Sequence, residues 1–209
     1  MFNCFDVADL TFNRAGSGDD HLRMVAKLIY GVDEHIYPAW RPTAEEFADF
    51  IVPWMNVKGF IFHRHNIYVA RKYGHNNPLG MLISLDAKTS VNFDYSVFKD
   101  EQSQFVFKNY LSKVVTERQS IPDDTAIIIG LCVDPLSRSK VIASELLSNY
   151  IERMRNNGVT TIRLDCLVDN AKALRLYKSM GFEIIGKGFG FNRPSEPPVE
   201  IYTLQQEIL

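Results

Sequence analysis

The chain has 209 residues, of which 46% are hydrophobic and 23% are charged, a composition that is typical of a globular protein and excludes a disordered or fibrous chain. Its 23 Lys and Arg residues against 25 Asp and Glu residues give a formal net charge of -2, which leaves no overall positive field to hold nucleic acid. The three cysteines, Cys4, Cys132 and Cys166, are widely spaced without a Cys-x-x-Cys pair, which favours reduced thiols over a disulfide framework or a zinc site.

The beginning of the chain gives no sign of export. Residues 1–10 carry Asp6 and Asp9 and lack the basic start and apolar stretch of a secretory signal. The longest apolar run, over 126–133, is far shorter than the roughly 20 residues that cross a bilayer. We therefore expect a cytoplasmic protein without a membrane partner.

The first predicted elements are two helices and a pair of strands. Apolar residues at helical spacing predict a helix over 20–30. A second, short helix is predicted after Thr43, because Thr43 and Glu46 have the spacing of a capping box. Segments 67–72 and 79–86 are rich in β-forming residues and flank a turn-forming Gly-His-Asn-Asn-Pro sequence, which predicts an antiparallel hairpin.

Residues 87–124 differ in character from the flanking sequence. A polar stretch precedes apolar residues at helical spacing over 101–116, which predicts a helical insertion with loops. The insertion could cover a cleft, contribute to a homodimer surface or only pack on the outside.

The second half of the chain alternates strands and helices. Strands are predicted over 125–133, 161–168, 182–186 and 199–205, and helices over 139–156 and 170–180. The continuous apolar run at 125–133 is typical of a central strand that is covered on both faces. No repeat or linker divides the chain, so we expect one domain of mixed α/β order over 1–209.

The loop after the strand at 125–133 is a candidate anion site. A strand–loop–helix connection directs free backbone N–H groups and the positive end of the helix dipole at one point. Residues 134–144 contain no glycine, so the loop is neither a Walker A loop nor a Gly-x-Gly-x-x-Gly loop. Nucleotide binding of those two kinds is therefore disfavoured.

Two motifs in the second half are similar to those of a known family. The first reads Leu-Cys-Val-Asp-Pro at 131–135 and continues as Arg-Ser-Lys-Val-Ile-Ala at 138–143. The second reads Asn-Ala-Lys-Ala-Leu-Arg-Leu-Tyr-Lys-Ser-Met-Gly-Phe at 170–182. In this order and separation, the segment over about 126–186 resembles the GNAT superfamily of acetyl-CoA-dependent N-acetyltransferases.

The resemblance implies a fold and an activity. The fold would be α/β (α+β), with a GNAT-like mixed, mostly antiparallel central sheet flanked by helices on both faces. The activity would be direct transfer of an acetyl group from acetyl-CoA to a primary amine, without a metal. Small-molecule amines, peptide N-termini and protein lysines all stay open as acceptors, because a fold does not determine its acceptor.

The resemblance also implies roles for single residues. Tyr177 would be the general acid that protonates the departing coenzyme A thiolate. The residues implied in binding acetyl-CoA are Leu131, Cys132, Val133, Arg138, Ser139, Lys140, Val141, Ile142, Ala143 and Asn170. The base is unassigned, with candidates Glu34, His35, Asp86 and Asp134.

Val141 departs from the family pattern, which usually has glycine at this position. Glycine lets the backbone approach a pyrophosphate closely, whereas valine is bulky and disfavours positive φ, so we expect weakened rather than abolished binding. The alternative function is a non-catalytic acyl-CoA-binding or protein-interaction module with a degenerate phosphate loop. A transferase for a longer acyl group is a third option.

Several of these residues also have simpler interpretations. Tyr177 could be a core tyrosine, and Asn170 could cap its helix. His63 and His65 share one face of an extended segment, but without a third ligand at recognisable spacing they favour surface histidines over a metal site. One group of aromatic residues either borders the acceptor site or packs in the core: Tyr30, Tyr37, Trp40 and Trp54.

Overall fold

The computed structural model describes residues 7–32, 37–86, 89, 91–106, 112–120, 122–137, 140–190 and 199–209. The helices are α1 (Asp19–Tyr30), α2 (Tyr37–Trp40), α3 (Ala44–Ile51), α4 (Glu101–Val106), α5 (Ser112–Ser120), α6 (Lys140–Asn156) and α7 (Ala171–Ser179). The strands are β1 (Leu10–Arg14), β2 (Ile67–Lys72), β3 (Pro78–Leu85), β4 (Thr125–Val133), β5 (Thr161–Leu167), β6 (Glu183–Phe189) and β7 (Glu200–Glu207).

Within these residues the strands form one seven-stranded sheet in the order β1-β2-β3-β4-β5-β7-β6. The pair β4 and β5 is parallel, and the other neighbouring pairs are antiparallel. The predicted mixed, mostly antiparallel sheet is therefore confirmed. β1, which pairs with β2 along its whole length, was not predicted from the sequence.

Each face of the sheet carries its own core because side chains along a strand alternate between the faces. In β2, Ile67 and Val69 belong to the core beneath α1 and α3, whereas Tyr68 and Ala70 belong to the core beneath α6. The core beneath α1 and α3, the first core, contains an aromatic cluster in which Phe47 makes ring contacts with four other residues of the described ranges. Helices therefore cover both faces, as predicted.

The predicted short elements of the first half are present. The capping box at the start of α3 is complete, since the Thr43 hydroxyl accepts from the Glu46 N–H and the Glu46 carboxylate accepts from the Thr43 N–H. The predicted hairpin is β2 and β3. Both predictions rested on local chemistry, which acts independently of the rest of the fold.

The insertion contributes the two helices α4 and α5, and residues 107–111 of the predicted helix lie outside the described residues. In α4, Ser103 is fully buried and its Oγ accepts a 2.9 Å hydrogen bond from the Trp40 Nε1. Phe98 and Val106 are also buried in the first core. This part of the insertion is therefore packed against α2. None of the helices in the described ranges is long and apolar enough to cross a membrane.

Candidate active site

The parallel strands β4 and β5 run side by side for only part of their length. Their pairing ends where Ile128 faces Leu164. Beyond this point β4 continues to Val133 and β5 to Leu167, and over these described residues the two strands no longer pair with each other. A cleft therefore opens between neighbouring strands, and it leaves one backbone edge of β4 without a strand partner.

A bulge in β4 lies where the two strands part. On the β3 side Ile83 pairs with Gly130, whereas the next residue, Ser84, pairs with Ile128. Ile129 is therefore an extra residue in β4. A bulge bends its strand and increases the local twist, which accounts for the end of β4 turning away from β5.

The open part of β4 consists of Leu131, Cys132 and Val133, all half-buried. Leu131 and Val133 pack on the α6 side of the sheet and Cys132 on the α1 side. Gly31, at the end of α1, lies so close that an added Cβ would be 3.2 Å from the Cys132 Sγ. Because side chains close both faces, the backbone edge is the part of β4 that can receive an extended ligand.

The helix α6 begins just beyond this edge. A single 3-10 turn, Pro135–Ser137, precedes it. The N–H groups of the first helical turn, residues 140–143, have no partners within the helix and carry the positive end of its dipole, so they can hold an anion. Arg138 and Ser139, predicted to bind the same anion, lie outside the described residues.

Val141 has ordinary helical backbone as the second residue of α6, and among the described residues no position other than glycine has a positive φ. The backbone strain that would make valine unfavourable is therefore absent at Val141. The next side chain, Ile142, is fully buried. The first turn of α6 is thus regular helix at Val141, Ile142 and Ala143, and it forms the positive end of the helix dipole.

Tyr177 lies on α7 and is buried, with its ring centroid 5.9 Å from that of Phe182. Burial raises the pKa of Tyr177, and the Cys166 thiol beside it raises this pKa further. Cys166 belongs to the part of β5 that has left β4. Tyr177 therefore stays protonated at neutral pH, and it lies beside the cleft on the same side of the sheet as Leu131 and Val133.

Cys166 was predicted to be a small core residue, and the structure agrees. Its side chain is buried. Burial, followed by the charges of Asp169 and Asp165, raises the pKa of the Cys166 thiol to about 11. The thiolate is the reactive form of cysteine, so Cys166 is unreactive at neutral pH.

Asn170 is the N-cap of α7, where its Oδ1 accepts a 3.1 Å hydrogen bond from the Ala173 N–H. The capping interpretation of Asn170 is therefore correct. The residue is exposed, and capping uses its side-chain oxygen while the side-chain amide is a separate donor. A second role toward a ligand is compatible with this geometry.

Two of the candidate bases can be located. Asp86 follows β3, and antiparallel pairing places it near the start of β4, roughly 20 Å from Val133 at about 3.3 Å per residue. Asp134 follows β4 directly, and its carboxylate accepts from the Leu136 N–H and the Ser137 hydroxyl. Asp86 is therefore remote from the cleft, and Asp134 holds the turn before α6. Glu34 and His35 lie outside the described residues.

The aromatic and histidine residues singled out in the sequence have mainly structural surroundings. Tyr37 and Trp40 are buried in the first core, and Tyr30 and Trp54 pack against it, which agrees with the core interpretation. The rings of His63 and His65 are 4.9 Å apart. In the described ranges, no group of three or more potential metal ligands is assembled.

Sequence analysis missed the parting of β4 and β5 and the neighbourhood of Tyr177 and Cys166. Gly130 inside an apolar strand was a signal for the bulge, because an isolated glycine in a strand often marks one. Tyr177 lies on α7 and Cys166 on β5, so no pattern within one segment of the sequence predicts that they approach each other.

Sequence comparison finds relatives over limited segments. The chain is 35% identical over 71 residues to the mycothiol acetyltransferase of Brachybacterium faecium. The aligned segment covers 34% of this chain and 22% of the relative. It is 43% identical over 60 residues to the L-amino acid N-acetyltransferase AaaT of Escherichia coli. This aligned segment covers 28% of this chain and 37% of the relative. The chain thus spans less than half the length of these two curated relatives.

The fold is shared with solved structures. One is yncA of Salmonella typhimurium, solved with its cofactor acetyl-CoA, which superimposes with a TM-score of 0.59 at 14% identity and covers 96% of this chain and 95% of that one. The family model described as "Acetyltransferase (GNAT) family" matches residues 34–182. This match takes in β2 to β5, α6, α7 and the cleft, and it covers more than half of the sequence. The chain therefore belongs to the acetyltransferase (GNAT) family.

Proposed function

We propose that this protein is an N-acetyltransferase that moves the acetyl group of acetyl-CoA directly to a primary amine. The observation that carries the proposal is the cleft between β4 and β5, which brings an open strand edge, the N-terminus of α6 and the protonated Tyr177 to one side of the sheet. Family membership and the bound acetyl-CoA of yncA support the same function.

Acetyl-CoA would be held mainly by backbone groups. The pantetheine arm carries amide groups and can pair with Leu131, Cys132 and Val133 as a strand would. The pyrophosphate would lie at the first turn of α6, on the N–H groups of residues 140–143. Arg138, Ser139 and Lys140 belong to the same motif and would add hydroxyl and charged contacts. Asn170 would contact the pantetheine or the acetyl end through its side-chain amide.

The transfer itself needs one acid. The amine nitrogen attacks the thioester carbonyl carbon, a C–N bond forms and the C–S bond breaks. The coenzyme A sulfur leaves with the electron pair and takes the proton of the Tyr177 hydroxyl. The nitrogen gives up its proton to water, directly or through a base, and Tyr177 is reprotonated. The phenol must be protonated when the thiolate leaves, and burial, which raises the pKa of Tyr177, keeps it protonated.

The helical conformation of Val141 argues against the alternative, a module whose phosphate loop has degenerated. That alternative assumed that valine blocks the approach of the backbone to the pyrophosphate, but the first turn of α6 is regular at this position. The acceptor would be a primary amine. The two relatives are named for compounds as different as mycothiol and L-amino acids, so the acceptor has to be found by screening.

Acetyl-CoA binding is the first test of the proposal. The melting temperature of the full chain is measured against increasing acetyl-CoA, because a ligand that binds only the folded state stabilises it by mass action. We expect a saturable rise at micromolar concentrations, with desulfo-coenzyme A as a control that binds without being able to react. Amines are then screened for acetyl-CoA-dependent thiol release.

The outcomes separate the two functions. A saturable shift together with thiol release for at least one amine supports the transferase. A shift without thiol release for any amine class favours a non-catalytic acyl-CoA-binding module. The absence of any shift up to millimolar acetyl-CoA would refute the transferase and favour the alternative in its other form, a protein-interaction module with a degenerate phosphate loop.

A further inference from the structure

A second concave site lies at the opposite end of the sheet from the cleft. It is a pocket of about 450 Å³ between the end of β1, the segment before β2, the end of β3 and the connections into β4 and β5. Its charged lining comprises Arg14, Lys58, His63, His65, Asp86 and Asp123. Its volume falls in the range of small-molecule sites.

Arg14 is a cation without a polar partner in this pocket. Its guanidinium lies 3.7 Å from the centre of the Tyr68 ring, and within the described part of the chain it forms no hydrogen bond or ion pair. Burial lowers the pKa of Arg14, although arginine stays charged at neutral pH. A guanidinium has five N–H donors in a fixed plane that matches a carboxylate or phosphate.

Lys58 adds a second positive charge to the half of the pocket that holds Arg14, and the His63 and His65 imidazoles lie beside it. Lys58, His63 and His65 come from the segment that leads into β2, the neighbour of β1. Burial lowers the pKa of both imidazoles. Neighbouring positive groups lower these pKa values further. His65, Arg64 and Lys58 act on His63, and Arg64, Arg14 and Lys58 act on His65. At neutral pH both rings are therefore mostly neutral, and each can donate one ring N–H to an anion whose charge Arg14 and Lys58 balance.

The other half of the pocket is acidic. Asp86 follows β3 and Asp123 precedes β4. Asp123 is exposed and has no ion pair or hydrogen bond to a described residue, and the Asp86 Oδ1 accepts from the Thr89 hydroxyl at 2.9 Å. Asn157, which also lines the pocket, directly follows α6, whose C-terminal end is the negative end of the helix dipole. This half favours a cation.

The strand order separates the two halves. Asp86 follows β3, two strands from β1, and Asp123 precedes β4, three strands from β1, which corresponds to roughly 10 to 14 Å at about 4.8 Å per strand. Acidic and basic side chains therefore face one cavity from opposite sides. The Asp86 charge acts on Arg14 across the cavity, but within the described residues Arg14 forms no ion pair with Asp86 or Asp123. A ligand of matching polarity would pair with both halves.

We propose that this pocket binds a zwitterionic small molecule, with its carboxylate or phosphate at Arg14, His63 and His65 and its ammonium group at Asp86 and Asp123. The pocket lies at the other end of the sheet from the cleft, so the ligand is not the acetyl acceptor. The proposal does not depend on acetyl transfer.

The test uses three small probes that share a diglycine backbone and differ in their charged ends. The ¹⁵N-labelled full chain is titrated at neutral pH and constant ionic strength with glycylglycine, with N-acetylglycylglycine, which lacks the ammonium, and with glycylglycinamide, which lacks the carboxylate. Glycylglycine is expected to shift the amide signals of Gly59, Asn66 and Gly158 saturably. Its affinity should exceed that of either analogue by roughly tenfold, since each analogue loses one charged contact.

Variants assign the binding to the charged groups. Arg14→Gln should abolish the shifts, and Arg14→Lys should retain part of the affinity because the charge remains while the planar fork is lost. Asp123→Asn, at an exposed position where folding is not at stake, should reduce the affinity for glycylglycine to that for N-acetylglycylglycine. Arg23→Gln is the control, because Arg23 is an exposed arginine on α1.

Three results would overturn the proposal. One is equal binding of all three probes. Another is unchanged glycylglycine affinity in folded Arg14→Gln and Arg14→Lys. The third is a set of shifts confined to residues 131–143, which would place the probe in the cleft.

Discussion

The two ends of the β4–β5 pair are built differently. At one end the strands are paired and α6 ends, and side chains from separate segments surround a charged pocket. At the other end the strands part and α6 begins, and backbone groups line a cleft. The same sheet therefore offers side-chain recognition at one end and backbone recognition at the other.

This difference predicts how each site responds to mutation. A site of backbone groups tolerates changes of side chain, provided that the strand and the helix keep their positions. A site of charged side chains loses affinity as soon as one of its groups is removed. In the cleft, the substitutions that matter should therefore be those that move the backbone or remove the acid.

The largest effect is expected at Tyr177, the proposed general acid of the cleft. Tyr177→Phe should lower kcat by about 10²-fold or more, the usual contribution of a general acid, while the Kd for acetyl-CoA stays unchanged. The phenyl ring keeps the contact with Phe182, so folding should be preserved. Steady-state thiol release and acetyl-CoA titration measure the two quantities.

The pH profile checks the same residue. Because burial raises the pKa of Tyr177 above its ordinary value of 10.0, the protonated form persists on the alkaline side. We therefore expect that deprotonation of the Tyr177 hydroxyl causes no loss of kcat up to pH 10.0. Unchanged turnover in Tyr177→Phe would remove Tyr177 from the mechanism and leave it a core residue.

The next effect comes from moving the backbone of the cleft. A Cβ at Gly80 would lie 3.0 Å from the Cys132 carbonyl oxygen and 3.3 Å from the Ile142 Cγ2. Gly80 lies on β3, so Gly80→Val should push both β4 and the first turn of α6 away from β3. We expect a loss of about 1–3 kcal/mol in the free energy of unfolding and weaker acetyl-CoA binding, measured by denaturant unfolding and titration.

Gly188→Val is the matched control. Gly188 lies on β6, and nothing is within 4 Å of an added Cβ there. If both valine variants bind acetyl-CoA like the wild type, the positions of β4 and α6 do not determine cofactor affinity.

The sequence predicted the cleft better than the pocket for a physical reason. The cleft depends on a strand, a turn and a helix that follow one another, so its motifs are contiguous at 131–143 and 170–182. The pocket assembles Arg14, His63, Asp86 and Asp123 from segments far apart in the sequence. Only the order of the strands brings these residues together, and sequence periodicity does not contain that order.

The errors of the fold prediction have a similar origin. β1 has only five residues, with Leu10 buried and the others partly or fully exposed, so its apolar pattern is weak and its formation depends on pairing with β2. The parting of β4 from β5 is likewise a relation between two strands. Local signals such as the capping box of α3 were read correctly because both partners lie within one turn.

Asn170 should show whether capping and ligand contact are separate. Asn170→Ala removes the acceptor for the Ala173 N–H and should cost about 1 kcal/mol of unfolding free energy. Asn170→Ser keeps a capping oxygen but removes the side-chain amide. We expect Asn170→Ser to be nearly as stable as the wild type in urea unfolding but to bind acetyl-CoA more weakly. Wild-type affinity in Asn170→Ser would limit Asn170 to capping.

The smallest effect is expected for Val141→Gly, and it tests the backbone argument most directly. Val141 already presents its N–H from regular helix, so restoring the family's glycine should change the Kd for acetyl-CoA by less than about threefold. The same change should lower the free energy of unfolding by about 0.5–1 kcal/mol, because glycine is unfavourable in a helix. Isothermal titration and urea unfolding of the same preparation measure both. A gain in affinity of about tenfold or more would instead mean that the valine side chain obstructs the pyrophosphate, and the phosphate loop would then be degenerate despite its helical backbone.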